Sequence, residues 1–301
     1  MIDHTLGASR ADAGAPLSTA ADNEQVVARR RPWLAEATKH TILIVLLVLT
    51  FYPLVAMVII SGKDTAGFAH SEWIPSLPFH WENYGAAWGH IDGYLLNSLI
   101  VSGSSCLGVL IVSTLSAYVF ARYNFPGREA LFYAIISLLM VPGILTLIPQ
   151  FILVRNLGLL NTRWALILPY ISGGQVFGIF LLRSFFASLP EELFEAARID
   201  GAGDLTILLR LVLPLSWSIL GTLAIFNVIY TWNDIIWPAV TLTDDSLKTV
   251  VTGLLSFQGQ YSTDYGPLMA GYALASAPLL LLFVVASRYF VAGLTSGALK
   301  V

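Results

Sequence analysis

The sequence predicts an all-α, polytopic membrane protein with six transmembrane helices. Only 12% of its 301 residues are charged, whereas a soluble domain carries about 25%. Hydrophobic residues make up 56% of the chain, and its mean hydropathy is +0.73. Because this composition leaves too little polar surface to cover a globule in water, it excludes a soluble enzyme. The basic residues are also too few for an electrostatic nucleic-acid interface.

Six uncharged apolar runs are each long enough to cross a bilayer, which takes about 20 residues of helix. Helices are expected because lipid offers no partner for free backbone N–H and C=O groups. Asp234, near the end of the fifth run, is the one acidic or basic residue within them. The predicted spans are residues 41–61, 95–121, 131–154, 164–182, 215–237 and 269–287.

The distribution of Lys and Arg between the spans predicts that both termini are cytoplasmic. Twelve of the 16 lie in the N-terminal tail, the connections between spans two and three and between spans four and five, and the C-terminus. The other four are Lys63, Arg155, Arg163 and Lys248. Cytoplasmic segments carry the excess of positive charge, and an even number of spans agrees with this orientation.

Residues 1–40 are predicted to form a largely disordered cytoplasmic tail before the transmembrane domain at 41–301. The tail is polar, and the apolar run that follows is too long for a secretion signal and lacks its cleavage site. The longest external connection contains three histidines at ten-residue spacing, His70, His80 and His90. This spacing matches no metal-ligand pattern, so no metal site is predicted.

The connection between spans four and five, residues 188–214, predicts a cytoplasmic helix-turn-helix hairpin. Ser188 and Glu191 have the spacing of a capping box at the start of a helix over 191–199. Gly201 can adopt the left-handed conformation that ends a helix. Asp204 can cap a second helix, which would end near Val212.

One face of the first hairpin helix would carry Leu193, Ala196 and Ala197. Small alanine side chains would let a partner surface approach closely. The alternative is an amphipathic hairpin that lies on the membrane surface.

The hairpin resembles the EAA signature of permease subunits of ATP-binding-cassette importers. Leu211 stands where that family usually has isoleucine. In the family, this hairpin docks into a groove on the ATPase subunit. The resemblance therefore assigns an ATPase-coupling role to Glu195, Ala196, Ala197, Arg198, Asp200, Gly201, Leu211, Leu213 and Pro214.

Residues 195–202, 230–234 and 293–300 together resemble the carbohydrate-uptake group, and specifically the subunit similar to the maltose transporter's smaller permease. The likeness covers most of residues 41–301. It implies a bacterial cytoplasmic-membrane importer of a sugar, such as an oligosaccharide. The implied partners are a second permease, two ATPase subunits and an extracytoplasmic binding protein. The C-terminal tail, 293–301, would insert between the ATPase subunits through Gly293, Thr295, Gly297 and Lys300.

The chain has no GxxxxGK[ST] phosphate-binding loop. We therefore expect it to be a transport subunit and not an enzyme. It would bind no cofactor, and ATP and magnesium would bind to the partner ATPase subunits.

A sugar path would need amides for hydroxyl groups and aromatic faces for stacking. The candidates are Gln150, Tyr170, Gln175, Asn227, Tyr230, Trp232 and Asn233. Any of them could instead join neighbouring helices. The external segment 257–265 resembles the loop that reaches into the binding protein in maltose-type subunits, and its candidate contacts are Phe257, Gln258, Gln260 and Tyr261.

Two other functions stay open at this point. An importer of the same class could carry an amino acid or a peptide, although a charged solute would favour a charged path. An ion-coupled secondary transporter usually needs ionisable groups at mid-membrane, and Asp234 near one edge is the single candidate. Prolines within the runs predict kinks that alternating access could use, at Pro142, Pro149, Pro169 and Pro278.

Overall fold

A computed structural model describes residues 32–71, 73–75, 77–260 and 264–298, with side chains except at 32, 34, 35, 257–260 and 287–298. The chain divides into two compact units, residues 1–55 and 56–301. The described part of the first unit belongs to helix α1, Pro32–Ser61, which contains Pro53. The helix begins nine residues before the predicted span, so residues 32–40 are helical.

The second unit is all-helical over its described residues. Two short 3₁₀ turns, Leu138–Met140 and Asp245–Leu247, and a π-helical turn, Leu208–Val212, interrupt the α-helices. The α-helices after α1 are α2 Thr65–His70, α3 Glu82–Arg122, α4 Arg128–Ser137, α5 Gly143–Asn156, α6 Trp164–Ala187, α7 Glu191–Ile199, α8 Asp204–Ile207, α9 Leu213–Leu215, α10 Trp217–Asn233, α11 Ile236–Thr241, α12 Val250–Gln260 and α13 Tyr265–Ala298.

Four of the described helices, α1, α3, α6 and α13, are long and apolar enough to cross a membrane. Two bent pairs bring the number to six if each pair is one span. They are residues 128–140 with α5, bent by 102°, and residues 204–215 with α10, bent by 79°. The described chain is therefore an all-helical protein with four to six candidate spans.

The predicted third span, 131–154, is wrong as a single helix. The chain leaves helical geometry at Val141 and Pro142, whose ψ angles are 116° and 127°. A proline disfavours helical geometry in the residue before it and cannot donate a backbone hydrogen bond. Pro142 therefore stands between two helices instead of kinking one. Pro149, Pro169 and Pro278 do lie inside helices, as predicted.

The predicted fifth span also ends early, at Asn233 instead of residue 237. Asp234 has extended geometry, and its Oδ1 accepts hydrogen bonds from the N–H groups of Ile236 and Trp237 at 3.0 and 3.3 Å. A carboxylate that satisfies free N–H groups starts a new helix. The acidic residue thus separates α10 from α11.

Close packing of α3 against α6 forms the centre of the second unit. Gly174 of α6 lies against Val109 of α3, and a Cβ there would come within 2.8 Å of the valine side chain. A Cβ at Gly178 would stand 2.2 Å from the Ser113 hydroxyl oxygen. Small residues at such contacts let two helix backbones approach closely in a membrane.

All four buried apolar clusters of the described residues include residues of α3, and the fourth joins Phe120 to Phe132 of α4 and Ile179 of α6. The first joins α3 and α6 to residues 194–223, the second joins the start of α3 to α12 and α13, and the third joins α3 to α5, α6 and α11. The two ends of the α3–α6 pair therefore hold different parts of the chain.

Replacing Gly178 with valine should force α3 and α6 apart. Overpacking of this kind costs about 1–3 kcal/mol, so we expect a lower melting temperature of the purified chain in detergent. Gly173→Val is the matched control, since a Cβ at Gly173 meets nothing within 4 Å. Equal melting temperatures for the two variants would contradict the close contact.

Candidate functional site

Helix α7 has the bounds that the sequence predicts, residues 191–199. Its buried residue is Phe194, which is 0% exposed and lies in the first apolar cluster with Phe186 and Val212. Ala197 packs against the same cluster. The predicted face is therefore divided, because Leu193 and Ala196 are exposed.

Neither predicted helix cap forms. Ser188 ends α6 instead of starting α7: its hydroxyl donates to the Phe185 carbonyl at 2.8 Å. Asp204 is the first residue of α8, and its side chain makes no cap hydrogen bond. Its carboxylate instead accepts a 2.5 Å hydrogen bond from the Tyr123 hydroxyl. The Ser188 hydroxyl is therefore used by the last turn of α6, and the Asp204 carboxylate by a residue 81 positions away.

Gly201 makes the turn between α7 and α8 with φ +80°. The N–H of Ala202 bonds to the Ala197 carbonyl, and the N–H of Gly201 bonds to the Arg198 carbonyl, at 2.9 and 3.0 Å. This pair of bonds is a Schellman motif, which needs a left-handed residue at the glycine position. A Cβ at Gly201 would meet nothing within 4 Å, so backbone conformation alone requires the glycine.

Arg122, the last residue of α3, fastens the start of α7 to the bundle. Its Nη1 donates to Glu191 Oε2 at 2.7 Å, and its Nη2 donates to the carbonyls of Phe186 and Leu189 at 2.5 and 3.0 Å. The guanidinium carbon lies 3.6 Å from the centroid of the Phe194 ring. The side chain is only 7% exposed. We call Arg122 with these four partners the arginine anchor.

Two tyrosines at the same end of α3 extend this contact. The rings of Tyr118 and Tyr123 lie 6.2 Å apart, edge to face. The hydrogen bond to Asp204 raises the pKa of the Tyr123 phenol above its ordinary value, because it stabilises the protonated form. Both helices of the hairpin are thus bonded to α3, one through Arg122 and the other through Tyr123.

The arginine anchor is absent from the residues predicted from the sequence, although a repeated pattern points to it. Glu191 and Phe194 recur as Glu129 and Phe132 in α4, each pair with leucine before the phenylalanine. There Arg183 of α6 donates to Glu129 at 2.6 Å and lies 3.6 Å from the Phe132 ring centroid. In both cases the Glu–x–Leu–Phe segment follows one of the two long helices and the arginine lies near the end of the other, so the two contacts are reciprocal.

The surface of the hairpin directed away from the bundle is both charged and apolar. Among the predicted coupling residues, Ala197, Leu211 and Leu213 lie against the first cluster. Ile199 is 86% exposed beside the turn. The exposed coupling residues are Glu195, Ala196, Arg198, Asp200, Gly201 and Pro214. This surface can contact another protein while the opposite side holds the hairpin in place.

A bend separates the hairpin from α10. The turn at 208–212 is π-helical, and Pro214 follows it. Proline cannot donate the next backbone hydrogen bond, which favours an irregular turn and a change of direction. The Ser216 hydroxyl donates to the Val212 carbonyl at 2.6 Å across the bend.

Three of the residues near the predicted sugar path come together. The Tyr170 hydroxyl donates to Asp234 Oδ2 at 2.9 Å, and its ring meets that of Tyr230 edge to face at 6.1 Å. Tyr170 is buried, whereas Tyr230 is 64% exposed. Asn227 is 6% exposed, and its Oδ1 has no hydrogen-bond partner among the described residues.

The other path candidates are placed differently. Trp232 is 3% exposed within the second apolar cluster, so its ring is not available for stacking on a solute. Asn233 is exposed and donates to the Ile229 carbonyl of its own helix at 2.8 Å. Gln150 and Gln175 are half-buried, and no described contact joins them to Tyr170.

Several predicted contact residues fall outside what can be described. For Phe257, Gln258, Gln260, Gly293, Thr295 and Gly297 the structure describes the helical backbone alone. Tyr261 and Lys300 lie outside the described residues. Within the described part of the chain, no three His, Cys, Asp or Glu side chains converge as metal ligands.

The candidate spans indicate a membrane protein, and comparison with known proteins gives its class. Residues 109–296 match the family described as binding-protein-dependent transport system inner membrane component. The chain belongs to this family of ATP-binding-cassette transporter permeases. It is a multi-pass membrane protein, and this assignment confirms the resemblance drawn from the EAA pattern.

Similar proteins include two bacterial permeases and one solved structure. The probable ABC transporter permease protein YurM of Bacillus subtilis is 35% identical, over 90% of this chain and 91% of that protein. The diacetylchitobiose uptake system permease protein NgcG of Streptomyces coelicolor is 36% identical, over 88% and 89%. A bacterial ABC transporter that imports the acidic polysaccharide alginate has the same fold, with a TM-score of 0.74 at 21% identity over 92% of this chain and 100% of that one.

Replacing Arg122 with glutamine should loosen the hairpin. The loss of charge-assisted hydrogen bonds and of the ring contact costs about 2 kcal/mol, so residues 188–214 should exchange amide hydrogens faster and be cleaved sooner by protease. Arg198→Gln is the control, because the Arg198 side chain is 49% exposed and its contact with Glu191 is long, at 3.5 Å. Unchanged exchange in Arg122→Gln would show that the anchor does not hold the hairpin.

Proposed function

We propose that this chain is the permease subunit of an ATP-driven importer of a carbohydrate. In this proposal it pairs with a second permease, two ATPase subunits and an extracytoplasmic binding protein, and both of its termini are in the cytoplasm of a bacterium. The observation that carries the proposal is the hairpin at 191–212, whose inner side is bonded to the end of α3 while Glu195 and Ala196 of its EAA signature remain exposed.

The arginine anchor supports a mechanical role for the hairpin. Closure of the ATPase dimer would press on the exposed side of α7 and α8. Because the inner side is buried against α3 and α6, the hairpin cannot move alone without exposing Phe194 and the buried guanidinium. The displacement therefore passes to the two spans, which rock between inward-facing and outward-facing arrangements.

Neutral polar groups support a sugar as the solute. Tyr170, Tyr230 and Asn227 offer hydroxyl, ring and amide groups, all of them neutral, beside the carboxylate of Asp234. These groups match sugar hydroxyls and the apolar face of a pyranose. The name of NgcG, a diacetylchitobiose uptake permease, supports the same class. The amides and aromatic rings of residues 257–261 would meet the binding protein, and residues 293–300 would meet the ATPase dimer.

Replacing Gly201 with valine should uncouple ATP hydrolysis from transport. A β-branched residue at φ +80° costs about 1–3 kcal/mol, so the turn and the EAA surface would shift while the spans remain inserted. Gly203→Val is the matched control, since Gly203 has φ −75° and open space for a Cβ. We expect ATP hydrolysis without sugar uptake in proteoliposomes for Gly201→Val only. Normal uptake in that variant would contradict the coupling role.

The partners and the solute can be identified by purification from cells that express the neighbouring genes. We expect the ATPase subunits and a binding protein to co-purify with this chain, and the binding protein to retain a carbohydrate in preference to amino acids or peptides. Recovery of a transport-competent chain without any ATPase would instead support ion-coupled transport. A co-purified binding protein that selects an amino acid would overturn the choice of sugar.

A further inference from the structure

The segment 241–250, on the opposite end of α3 and α6 from the arginine anchor, is fastened to those two helices by a second set of contacts. Helix α12 follows this segment directly. The contacts come from Asn97, Ser98 and Asn161, which we call the external clamp. None of these three residues belongs to a motif predicted from the sequence.

Asn97 of α3 is at the centre of the external clamp. It is 2% exposed. Its Nδ2 donates to the carbonyls of Ser246 and Lys248 at 2.7 and 3.0 Å. Its Oδ1 accepts from Arg163 Nε and Nη2 at 3.1 and 2.9 Å. A carboxamide has two N–H donors and two acceptor lone pairs, so every hydrogen-bonding position of this side chain is used.

Asn161 holds the same segment from the connection before α6. Its φ is +58°, a left-handed conformation in which asparagine is among the most frequent non-glycine residues. In this conformation its Oδ1 accepts from the N–H groups of Thr243 and Asp244 at 3.1 and 2.8 Å. Its own N–H donates to the Thr241 carbonyl at 3.0 Å.

The first turn of α12 is bonded directly to α3. The Ser98 hydroxyl, 1% exposed, accepts from the Val250 N–H at 2.8 Å and so satisfies a free N–H at the helix start. Gly253 lies against the Tyr94 ring, where a Cβ would come within 2.2 Å. This contact leaves no room for a side chain at position 253, so α12 packs closely against α3 there.

An ion pair stiffens the turn between the clamp and α12. Lys248 Nζ lies 2.8 Å from Asp245 Oδ1 and also donates to the Ser256 hydroxyl of α12 at 2.8 Å. The Tyr94 hydroxyl donates to Asp245 Oδ2 at 2.5 Å. These hydrogen bonds, that from Lys248 first and that from Tyr94 second, lower the pKa of Asp245. The carboxylate therefore stays ionised in the turn at neutral pH.

We propose that the external clamp makes α12 part of the rigid α3–α6 body, so that a force applied to α12 from outside the membrane reaches the arginine anchor at the other end of the same two helices. The inference deepens the proposed function and rests on it: the force comes from the binding protein, and the response is faster ATP hydrolysis by the partner ATPase. Asn97 and Asn161 are positioning residues in this route, since they act by holding the segment that precedes α12.

The test uses the complete transporter in proteoliposomes, with ATPase activity measured with and without loaded binding protein. Asn161→Gly keeps the left-handed backbone but removes the acceptor for Thr243 and Asp244. We expect the stimulation by binding protein to fall about fivefold or more, while the basal rate stays unchanged. Asn161→Asp is the matched control, because its carboxylate still accepts both hydrogen bonds, and we expect its stimulation to be that of the wild type.

A second pair of variants tests the other side of the clamp. Asn97→Asp replaces the N–H donors of the amide with a second carboxylate oxygen. The carbonyls of Ser246 and Lys248 then lose their donor, while Arg163 keeps an oxygen acceptor. We expect the same loss of stimulation. Asn156→Asp is its control, since Asn156 is exposed at the end of α5 and has no hydrogen-bond partner described for its side chain.

Two outcomes would overturn the inference. One is wild-type stimulation in Asn161→Gly at a normal level of inserted chain. The other is a loss of basal and stimulated rates in equal proportion, which would mean that the clamp only stabilises the fold. A wild-type complex without any stimulation would instead contradict the proposed function.

Amide hydrogen exchange of the wild-type complex tests, without any variant, whether the clamp hydrogen bonds form. The amides of Thr243, Asp244 and Val250 donate to clamp side chains, so we expect protection of about 100-fold or more over a free peptide. Exchange at the free-peptide rate would show that α12 is not held to α3.

Discussion

The close contact between α3 and α6 is the constraint on which the rest of the second unit depends. Glycines at 174 and 178 bring the two backbones together, and Val109 and Ser113 occupy the space that a side chain would otherwise fill. In lipid there is no hydrophobic force between helices, so surfaces of this shape supply the association. The hairpin is attached at one end of the pair and the segment 241–250 at the other.

At each end, polar groups do what apolar packing cannot. Apolar contacts are not directional, so they bring the hairpin to the bundle without choosing its orientation. The arginine anchor does choose it, because one guanidinium must satisfy a carboxylate, two carbonyls and a ring at the same time. Asn97 plays the same part at the other end, with four hydrogen bonds from one amide. In a chain with so few charged residues, these buried polar side chains fix the orientation of the segments that they contact.

The accuracy of the sequence predictions depended on the range of the interaction involved. The apolar runs and helix 191–199 follow from hydropathy and from nearest neighbours, and Gly201 follows from the conformation that a turn demands. The predicted caps at Ser188 and Asp204 do not form because each side chain has another partner: Ser188 bonds to the last turn of α6, and Asp204 bonds to Tyr123. Trp232 is a candidate for the sugar path by its residue type, but it lies in the second apolar cluster. An aromatic ring packs against apolar side chains as well as it stacks on a sugar.

By itself, the sequence determined the class of protein, the positions of its apolar runs and the segment that matches the coupling signature. These properties depend on composition and on spacings of a few residues. Only the tertiary structure decided that the run 131–154 is two helices bent by 102°, that Arg122 holds the hairpin, and that Asn97 reaches residues 246 and 248. Contacts between residues 60 to 150 positions apart depend on how the helices pack, because hydrogen bonds form only when distance and direction are both satisfied, and no local spacing encodes either.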